Sequence, residues 1–277
     1  MGLGGYLTWT AAIREIKRRH LQELRITPIE AHNGAITKLV QSPVFENNPA
    51  ITYDVNYQHR LFLQLNNPNA NYCKQDLPDR AVHRYDKHII EQICENYEIY
   101  NPELKCELFF TEQEENKVLD LTKDLDSDFV LIEPHSKINY TKNRTYPFEK
   151  WQKVVDDVSK DIQVVQIGVE NSKLLKNVTD FTGKTSFREA AALINQSKMV
   201  ISAEGGLTHA ATTTKTPAMV VVTGYQSPKM VCYPQNINLN IASHGPCGMK
   251  NVCEACQKDA ADHDYREIID KIRNYLF

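Results

Sequence analysis

The sequence predicts an α/β fold in two halves, each a parallel sheet covered by helices, facing each other across a cleft. Three observations carry this. Short apolar runs bounded by turn residues alternate with segments of helical period along both halves of the chain. Residues 180–224 read as one unbroken α/β unit, in which a strand, a glycine turn and a helix follow in that order. A polar break at Asp124-Leu-Asp-Ser-Asp128 divides the chain into 1–125 and 126–277. Ligands of open α/β sheets bind beyond the carboxyl ends of the strands, so the two halves would meet over a binding cleft.

Composition excludes several classes. The chain has 277 residues, 42% of them apolar, which is enough for a sizeable core. The formal net charge of −3 lacks the strongly basic balance of a general nucleic-acid binder. No run of 18 or more apolar residues marks a transmembrane helix, and no basic-then-apolar leader opens the chain. The seven cysteines are odd in number and unevenly spread, which argues for a reducing, cytoplasmic setting rather than a disulfide framework.

In chain order, Gly2-Leu3-Gly4-Gly5 reads as a glycine loop feeding an amphipathic helix over 10–17. Such a loop normally follows a strand; either a first strand is lacking and the N-terminal sheet is one strand short, or these residues are a frayed tail before the helix. Residues 24–28, 50–55 and 60–65 read as strands, 33–40 as a short helix, and the polar, turn-rich stretch to Tyr85 as a long surface loop. Helices are expected at 87–97 and at 111–125, the latter capped by Thr111 with Glu114 at the capping-box offset. A strand at 106–110 lies between them. The C-terminal half predicts strands at 129–133, 164–168, 199–201, 218–222 and 237–241. Its helices fall at 147–160, 187–195, 207–214 and 264–275. Residues 134–144 read as a polar loop.

The turn Glu204-Gly205-Gly206 lies between an apolar strand and a small-residue helix. Backbone N–H groups at such a junction, and the helix dipole, favour an anion. A glycine lets a phosphate approach the backbone.

Three blocks resemble glycosyltransferase family 9, the bacterial heptosyltransferases of lipopolysaccharide assembly. Gly2-Leu-Gly-Gly-Tyr-Leu-Thr-Trp-Thr-Ala-Ala-Ile-Arg-Glu-Ile-Lys17 is similar to the family's first glycine loop and helix. Asn143-Arg-Thr-Tyr-Pro-Phe-Glu-Lys-Trp151 resembles its Lys-x-Trp-Pro segment. Glu204-Gly-Gly-Leu-Thr-His209 resembles its Asp-x-Gly-x-x-His turn. The resemblance implies a GT-B fold of two Rossmann-like domains, with an acceptor-binding N-terminal domain and a donor-binding C-terminal one. It implies inverting transfer of a heptose-like sugar from a nucleotide diphosphate sugar such as ADP-heptose to a glycan or lipid-linked glycan. No cofactor or catalytic metal is required, and the setting is the inner face of the bacterial membrane, with peripheral membrane contact.

On this reading Gly205, Gly206, Leu207, Thr208 and His209 contact the donor diphosphate, and Arg144 stands where the family carries a phosphate-binding Lys. Lys142 is its neighbour and substitute. A plain turn, a packing histidine and a solvated loop charge are the respective structural alternatives. Glu170, Thr182 and Glu204 fall on the nucleoside side; Glu204 replaces the family's Asp, and Thr182 also lies in the turn before the Ser186 helix cap. The departure is Gly5. The family carries its proposed catalytic base, an Asp, at that position, and glycine cannot take a proton. Glu30 and His32 are the nearest candidates in sequence. The alternative is a catalytically silent nucleotide-sugar-binding protein of the same fold. Separately, Cys247-x5-Cys253-x2-Cys256, with His244 or His263 nearby, has ligands enough for a tetrahedral zinc, the other reading being reduced thiols. Cys73, Cys94, Cys106 and Cys232 read as core or loop residues.

Overall fold

A computed structural model describes residues 2–20, 23–67, 80, 85–135 and 140–277. Cys73, most of the polar stretch before Tyr85, and residues 136–139 of the loop before Arg144 lie outside the described residues.

The first half opens with helix α1 (Leu3–Arg19) and continues through strands β1 (Arg25–His32), β2 (Ala35–Leu39) and β3 (Arg60–Gln64) to helices α2 (Ile89–Glu95) and α3 (Glu112–Thr122). The second runs β4 (Phe129–Glu133), α4 (Phe148–Val158), β5 (Gln163–Gln166), β6 (Thr179–Asp180), α5 (Phe187–Gln196), β7 (Met199–Ala203), α6 (Gly206–Ala211) and β8 (Ala218–Val222). Helix α7 (Pro228–Val231), strand β9 (Ile237–Asn240) and helices α8 (Glu254–Asp262) and α9 (Arg266–Leu276) complete it.

Strands β4 to β9 form a six-stranded sheet in the order β6-β5-β4-β7-β8-β9. Every pairing in it is parallel. The chain winds outward from β4 in one direction, then returns to β7 and winds outward in the other. Both faces are buried, which is why these strands read as continuous apolar runs. Phe129, Leu131, Val200, Val220 and Val222 join one apolar cluster, with α1, α5 and α6. Val130, Ile132, Met199, Ile201, Met219 and Val221 join the other, with α4 and α9. Trp151, Val154, Val155 and Val158 are the buried stripe of α4. The capping boxes at Thr111/Glu114 and Ser186/Glu189 both form.

Several expectations are corrected. Residues 33–40 are not a helix. Asn33 (φ 49°) and Gly34 (φ 80°) make a two-residue hairpin turn between β1 and β2, and Asn-Gly is the dipeptide that such turns require. The first sheet, β2-β1-β3, is therefore mixed rather than parallel, β1 pairing antiparallel with β2 and parallel with β3. Residues 50–55 contribute one bridge, Ile26 to Ile51, instead of a strand. Residues 106–110 form no ladder, because side chains take their N–H groups: Cys106 donates to Thr212 Oγ1 (3.0 Å) and Glu107 to Thr10 Oγ1 (2.8 Å).

The glycine loop at 2–5 is also corrected. Gly2 is the N-cap and α1 starts at Leu3. The glycines serve a close approach. A Cβ on Gly4 would lie 2.8 Å from Gly206 Cα and 3.2 Å from His209 Cδ2. Helix α1 thus rests its first turn directly on the turn that opens α6. Two buried arginines fix the surrounding segments. Arg14 donates to the carbonyls of Lys105 (2.6 Å) and Glu103 (2.7 Å). Arg188 on α5 meets Glu114 on α3 at 2.5 and 2.9 Å, and donates to the carbonyls of Pro43 and Phe109.

Alanine at position 4 would gain about 0.5–1 kcal/mol of helix propensity, but the atom it strikes is backbone and cannot yield, and overpacking costs about 1–3 kcal/mol. Gly4→Ala is expected to lower unfolding free energy in urea, whereas Gly245→Ala, with open space at its Cβ, stays within about 0.5 kcal/mol of the parent.

Candidate functional site

Parallel pairing puts the residues that follow β4, β5, β6, β7 and β8 along one edge of the sheet. The winding direction reverses between β4 and β7, and the crevice at such a switch point is where open α/β sheets bind ligands. Glu133 ends β4 there, opposite Ser202 of β7, and Glu204-Gly205-Gly206 follows two residues on.

The turn itself is built from few atoms. Gly205 is extended (φ 176°, ψ −162°), a conformation open to any residue, and a Cβ on it would meet nothing closer than Ala203 O at 3.8 Å. Nothing inside the fold demands glycine at this position. Thr208 Oγ1 donates to Gly205 O at 2.8 Å. Helix α6 has six residues rather than the expected eight, with Thr212, Thr213 and Thr214 continuing as tight turns. So short a helix contributes little dipole, and the anion-binding capacity of the turn rests on its local N–H groups.

Arg144 is brought to the same place. It ends a single 3-10 turn, Lys142–Arg144, capped by Thr141. Its Nε lies 2.7 Å from Glu204 Oε1, with the Arg side chain 20% exposed and the Glu side chain 2%. Its guanidinium also lies over the ring of Tyr225 at 4.6 Å and near that of Tyr140 at 5.8 Å. Burial raises the Glu204 carboxyl to about 7, against the pull of Arg144. Burial alone raises Glu133 to about 7. Two carboxyl groups at the switch point are therefore poised between neutral and ionised at physiological pH.

His209 is buried, its Nδ1 2.6 Å from Tyr233 Oη. Burial, with the Arg144 charge adding to it, lowers its pKa to about 4, so the ring is neutral. Tyr233 also stands edge-on to His88, another buried neutral imidazole. Leu207 and Thr208 are buried in the first turn of α6.

Thr182 and Glu170 come together one strand further out. Thr182 N and Oγ1 both donate to Asp180 Oδ1 (2.8 and 2.7 Å). A Cβ on Gly183 would lie 3.0 Å from Glu170 Cα. Glu30 is on β1; its negative charge, after burial, helps to raise the Tyr6 phenol in the first turn of α1. Glu30 is half-buried and pairs with Lys38 of β2. His32 is exposed at the β1–β2 turn, opposite Ala35, and is not brought to this group.

Sequence reasoning missed three contributors. Glu133 was visible only as the charged end of an apolar strand, Phe-Val-Leu-Ile-Glu. Asn143 is 1% exposed and binds the carbonyls of Met249 (2.9 Å) and Asn251 (2.7 Å), while its Oδ1 accepts from Cys253 N (2.8 Å). Tyr225 follows the α/β unit read over 180–224 and carried no signal of its place under the Arg144 guanidinium. Of the proposed zinc ligands, Cys247 of the loop after β9, Cys253 at the N-cap of α8 and Cys256 within α8 gather beside His244, while His263 bonds Tyr146 instead (2.9 Å).

Counted from β4, the six-stranded sheet has the order 3-2-1-4-5-6 of Rossmann-type nucleotide-binding proteins, with a glycine turn at the switch point. The chain belongs to glycosyltransferase family 9 (heptosyltransferase), whose sequence pattern matches residues 50–259. Three solved structures share the fold. The family 9 glycosyltransferase from Veillonella parvula DSM 2008 has TM-score 0.67 and 12% identity over 100% of this chain and 95% of that one. The E. coli ADP-heptose lps heptosyltransferase II has TM-score 0.64 and 12% identity, with 99% and 96% covered. The iron-containing dodecameric glycosyltransferase TibC from enterotoxigenic E. coli H10407 has TM-score 0.65 and 14% identity, with 100% and 75% covered. No curated protein shows significant sequence similarity to the chain. Among the described residues no helix is long and apolar enough to cross a membrane.

A carboxyl whose folded pKa is raised stabilises the fold fully below its unfolded value and loses that contribution as pH rises through the folded value. For Glu133 the window runs from about 4.5 to about 7. The difference in stability between the parent and Glu133→Gln should therefore shift in favour of the variant as pH rises across that window. Urea midpoints measured from pH 4.5 to 8 check this; a constant difference would remove the assignment.

Proposed function

We propose that the protein is an inverting glycosyltransferase that moves a heptose-like sugar from a nucleotide diphosphate sugar, of the ADP-heptose kind, to a glycan or lipid-linked glycan acceptor. The observation that carries this reading is the coincidence of the sheet's switch point with the Gly205-Gly206 turn and Arg144. Membership of the family supports the reaction class, and TibC has been solved in complex with ADP-D-beta-D-heptose.

In this reading the N–H groups of Gly205, Gly206, Leu207 and Thr208 and the Arg144 guanidinium hold the diphosphate. Arg144 exchanges part of its contact with Glu204 for phosphate oxygens. A Glu204 carboxyl titrating near 7 gives up that contact cheaply by taking a proton. His209, neutral and held by Tyr233, orients the first turn of α6 and has its other nitrogen to offer the ligand. Glu170 and Thr182 face the nucleoside. Residues 126–277 form the donor-binding domain and 1–125 the acceptor-binding one. The acceptor hydroxyl needs a base, and Glu30, half-buried on β1, is assigned that role over the exposed His32. The step needs no cofactor, and the protein works in the cytoplasm at the inner face of the membrane, with peripheral contact.

One observation favours a second reading, a silent nucleotide-sugar binder. Gly5 lies within α1 and presents no side chain to the acceptor.

Gly205 separates ligand contact from folding. Gly205→Ala is expected to leave stability within about 0.5 kcal/mol of the parent and to weaken ADP binding tenfold or more by calorimetry, as is Arg144→Ala. Unchanged affinity in both would sink the diphosphate assignment. Release of nucleotide diphosphate from a panel of nucleotide sugars then decides between transferase and binder: binding without transfer or slow hydrolysis selects the binder, and Glu30→Gln should abolish turnover while leaving ADP affinity intact.

A further inference from the structure

The geometry points to a tetrahedral metal centre where the loop after β9 runs into α8, held by His244 and Cys247 of the loop, Cys253 at the helix N-cap and Cys256 in the first turn of α8, that fixes the turn carrying Arg144. The four residues lie within thirteen positions of one another, in the spacing His-x2-Cys-x5-Cys-x2-Cys. Cys256 Sγ is 3.4 Å from His244 Nε2 and 3.5 Å from Cys247 Sγ. The ligand atoms of His244, Cys253 and Cys256 all lie within 4.8 Å of one another. A metal with bonds of about 2.3 Å to sulfur and about 2.0 Å to nitrogen sets neighbouring ligand atoms about 3.5–3.8 Å apart in a tetrahedron. The two closest spacings fall just inside that value and the third bound is slightly wider.

A second observation is independent of the cysteines. His244 Nδ1 is 2.8 Å from Asp259 Oδ2, and the same carboxylate accepts from Ser243 N (2.8 Å) and Oγ (2.7 Å). With Nδ1–H donating to Asp259, the lone pair is left on Nε2, which faces the sulfur cluster. Metal-bound histidines are oriented by a carboxylate in this way. Three thiolates and a neutral imidazole are a soft set suited to a divalent transition ion, zinc or iron. Binding it releases the thiol protons to solvent.

The loop is joined to the site at several points. Cys247 N donates to Gly224 O and Gly248 N to Tyr225 O, each at 2.9 Å. Gly224 (φ +87°) would set a Cβ 3.0 Å from His244 Cε1, so the turn at 224 and the imidazole are in contact. Asn143, next to Arg144, bonds the carbonyls of Met249 and Asn251 and the N–H of Cys253. The metal would hold both turns that surround the Arg144 guanidinium, acting as a positioning group remote from the reacting atoms.

The test uses the whole chain, purified without chelator under anaerobic, reducing conditions. Elemental analysis should find about one equivalent of zinc or iron per chain. Exchange with cobalt(II) should give a thiolate charge-transfer band and intense tetrahedral d–d bands. Cys256→Ser should lose the metal and Cys232→Ser, outside the cluster, should keep it. Asp259→Asn should weaken metal affinity about 10–100-fold. If Cys256→Ser does not fold, chelation of the parent followed by re-addition of zinc gives the same comparison. Removal of the metal should speed amide hydrogen exchange at residues 141–144 and 224–225. Substoichiometric metal with no cobalt spectrum on re-addition would overturn the site, and unchanged exchange in metal-free protein would overturn its link to Arg144. Neither readout requires turnover, so both stand apart from the transferase assignment.

Discussion

Helix α1 reaches the glycine turn because neither partner has a side chain where they touch. Gly4 and Gly206 bring two backbones to a distance that one added methyl would forbid. Much of the molecule is arranged around that contact. Leu7, Trp9, Ala11, Ala12 and Ile13 continue the buried face of α1 behind it. His209, one turn into α6, fills the space beside Gly4 and is held there by Tyr233. The first half of the chain is thereby locked onto the carboxyl edge of the second half's sheet. The same contact leaves Gly5 in a helical turn, where an acidic residue would project from α1 itself.

The site balances charge against burial. Arg144 is mostly shielded, set over the ring of Tyr225 and paired with a carboxyl that burial pushes towards neutrality. A cation in such a setting is pre-oriented and only partly neutralised, which is the condition under which it can accept a diphosphate without large rearrangement. His209, neutral and hydrogen-bonded, adds direction rather than charge.

Most of the second half was legible because its strands are buried on both faces and its helices carry caps. Runs such as Met199-Val-Ile and Ala218-Met-Val-Val-Val can only be interior strands, and Ser186 with Glu189 announces a helix start. The first half was harder. Its extended segments near 51 and 106 satisfy their backbone through single bridges or threonine hydroxyls, which leave no periodic trace. The Asn33-Gly34 turn was legible and overlooked in favour of a helical pattern. The Gly4 contact could not be read, since a glycine in a close approach and a glycine in a loop are the same letter. The 204–209 turn was read from its strand, glycine turn and helix pattern and Arg144 by resemblance; Glu133, Asn143 and Tyr225 became visible only when the sheet order put distant segments side by side.

The apolar cluster behind α1 has a kinetic consequence. It runs without interruption from Leu7 through Ile93 and Cys106 to Leu131, Val200 and Tyr233, so both sheets draw on one interior. Swinging the halves apart on a hinge would expose that interior to water, at about 25 cal/mol for every Å² uncovered. Wholesale opening is therefore a slow route for a ligand to enter or leave. Local rearrangement of the loops and side chains along the carboxyl edge uncovers none of that interior and is the less costly motion.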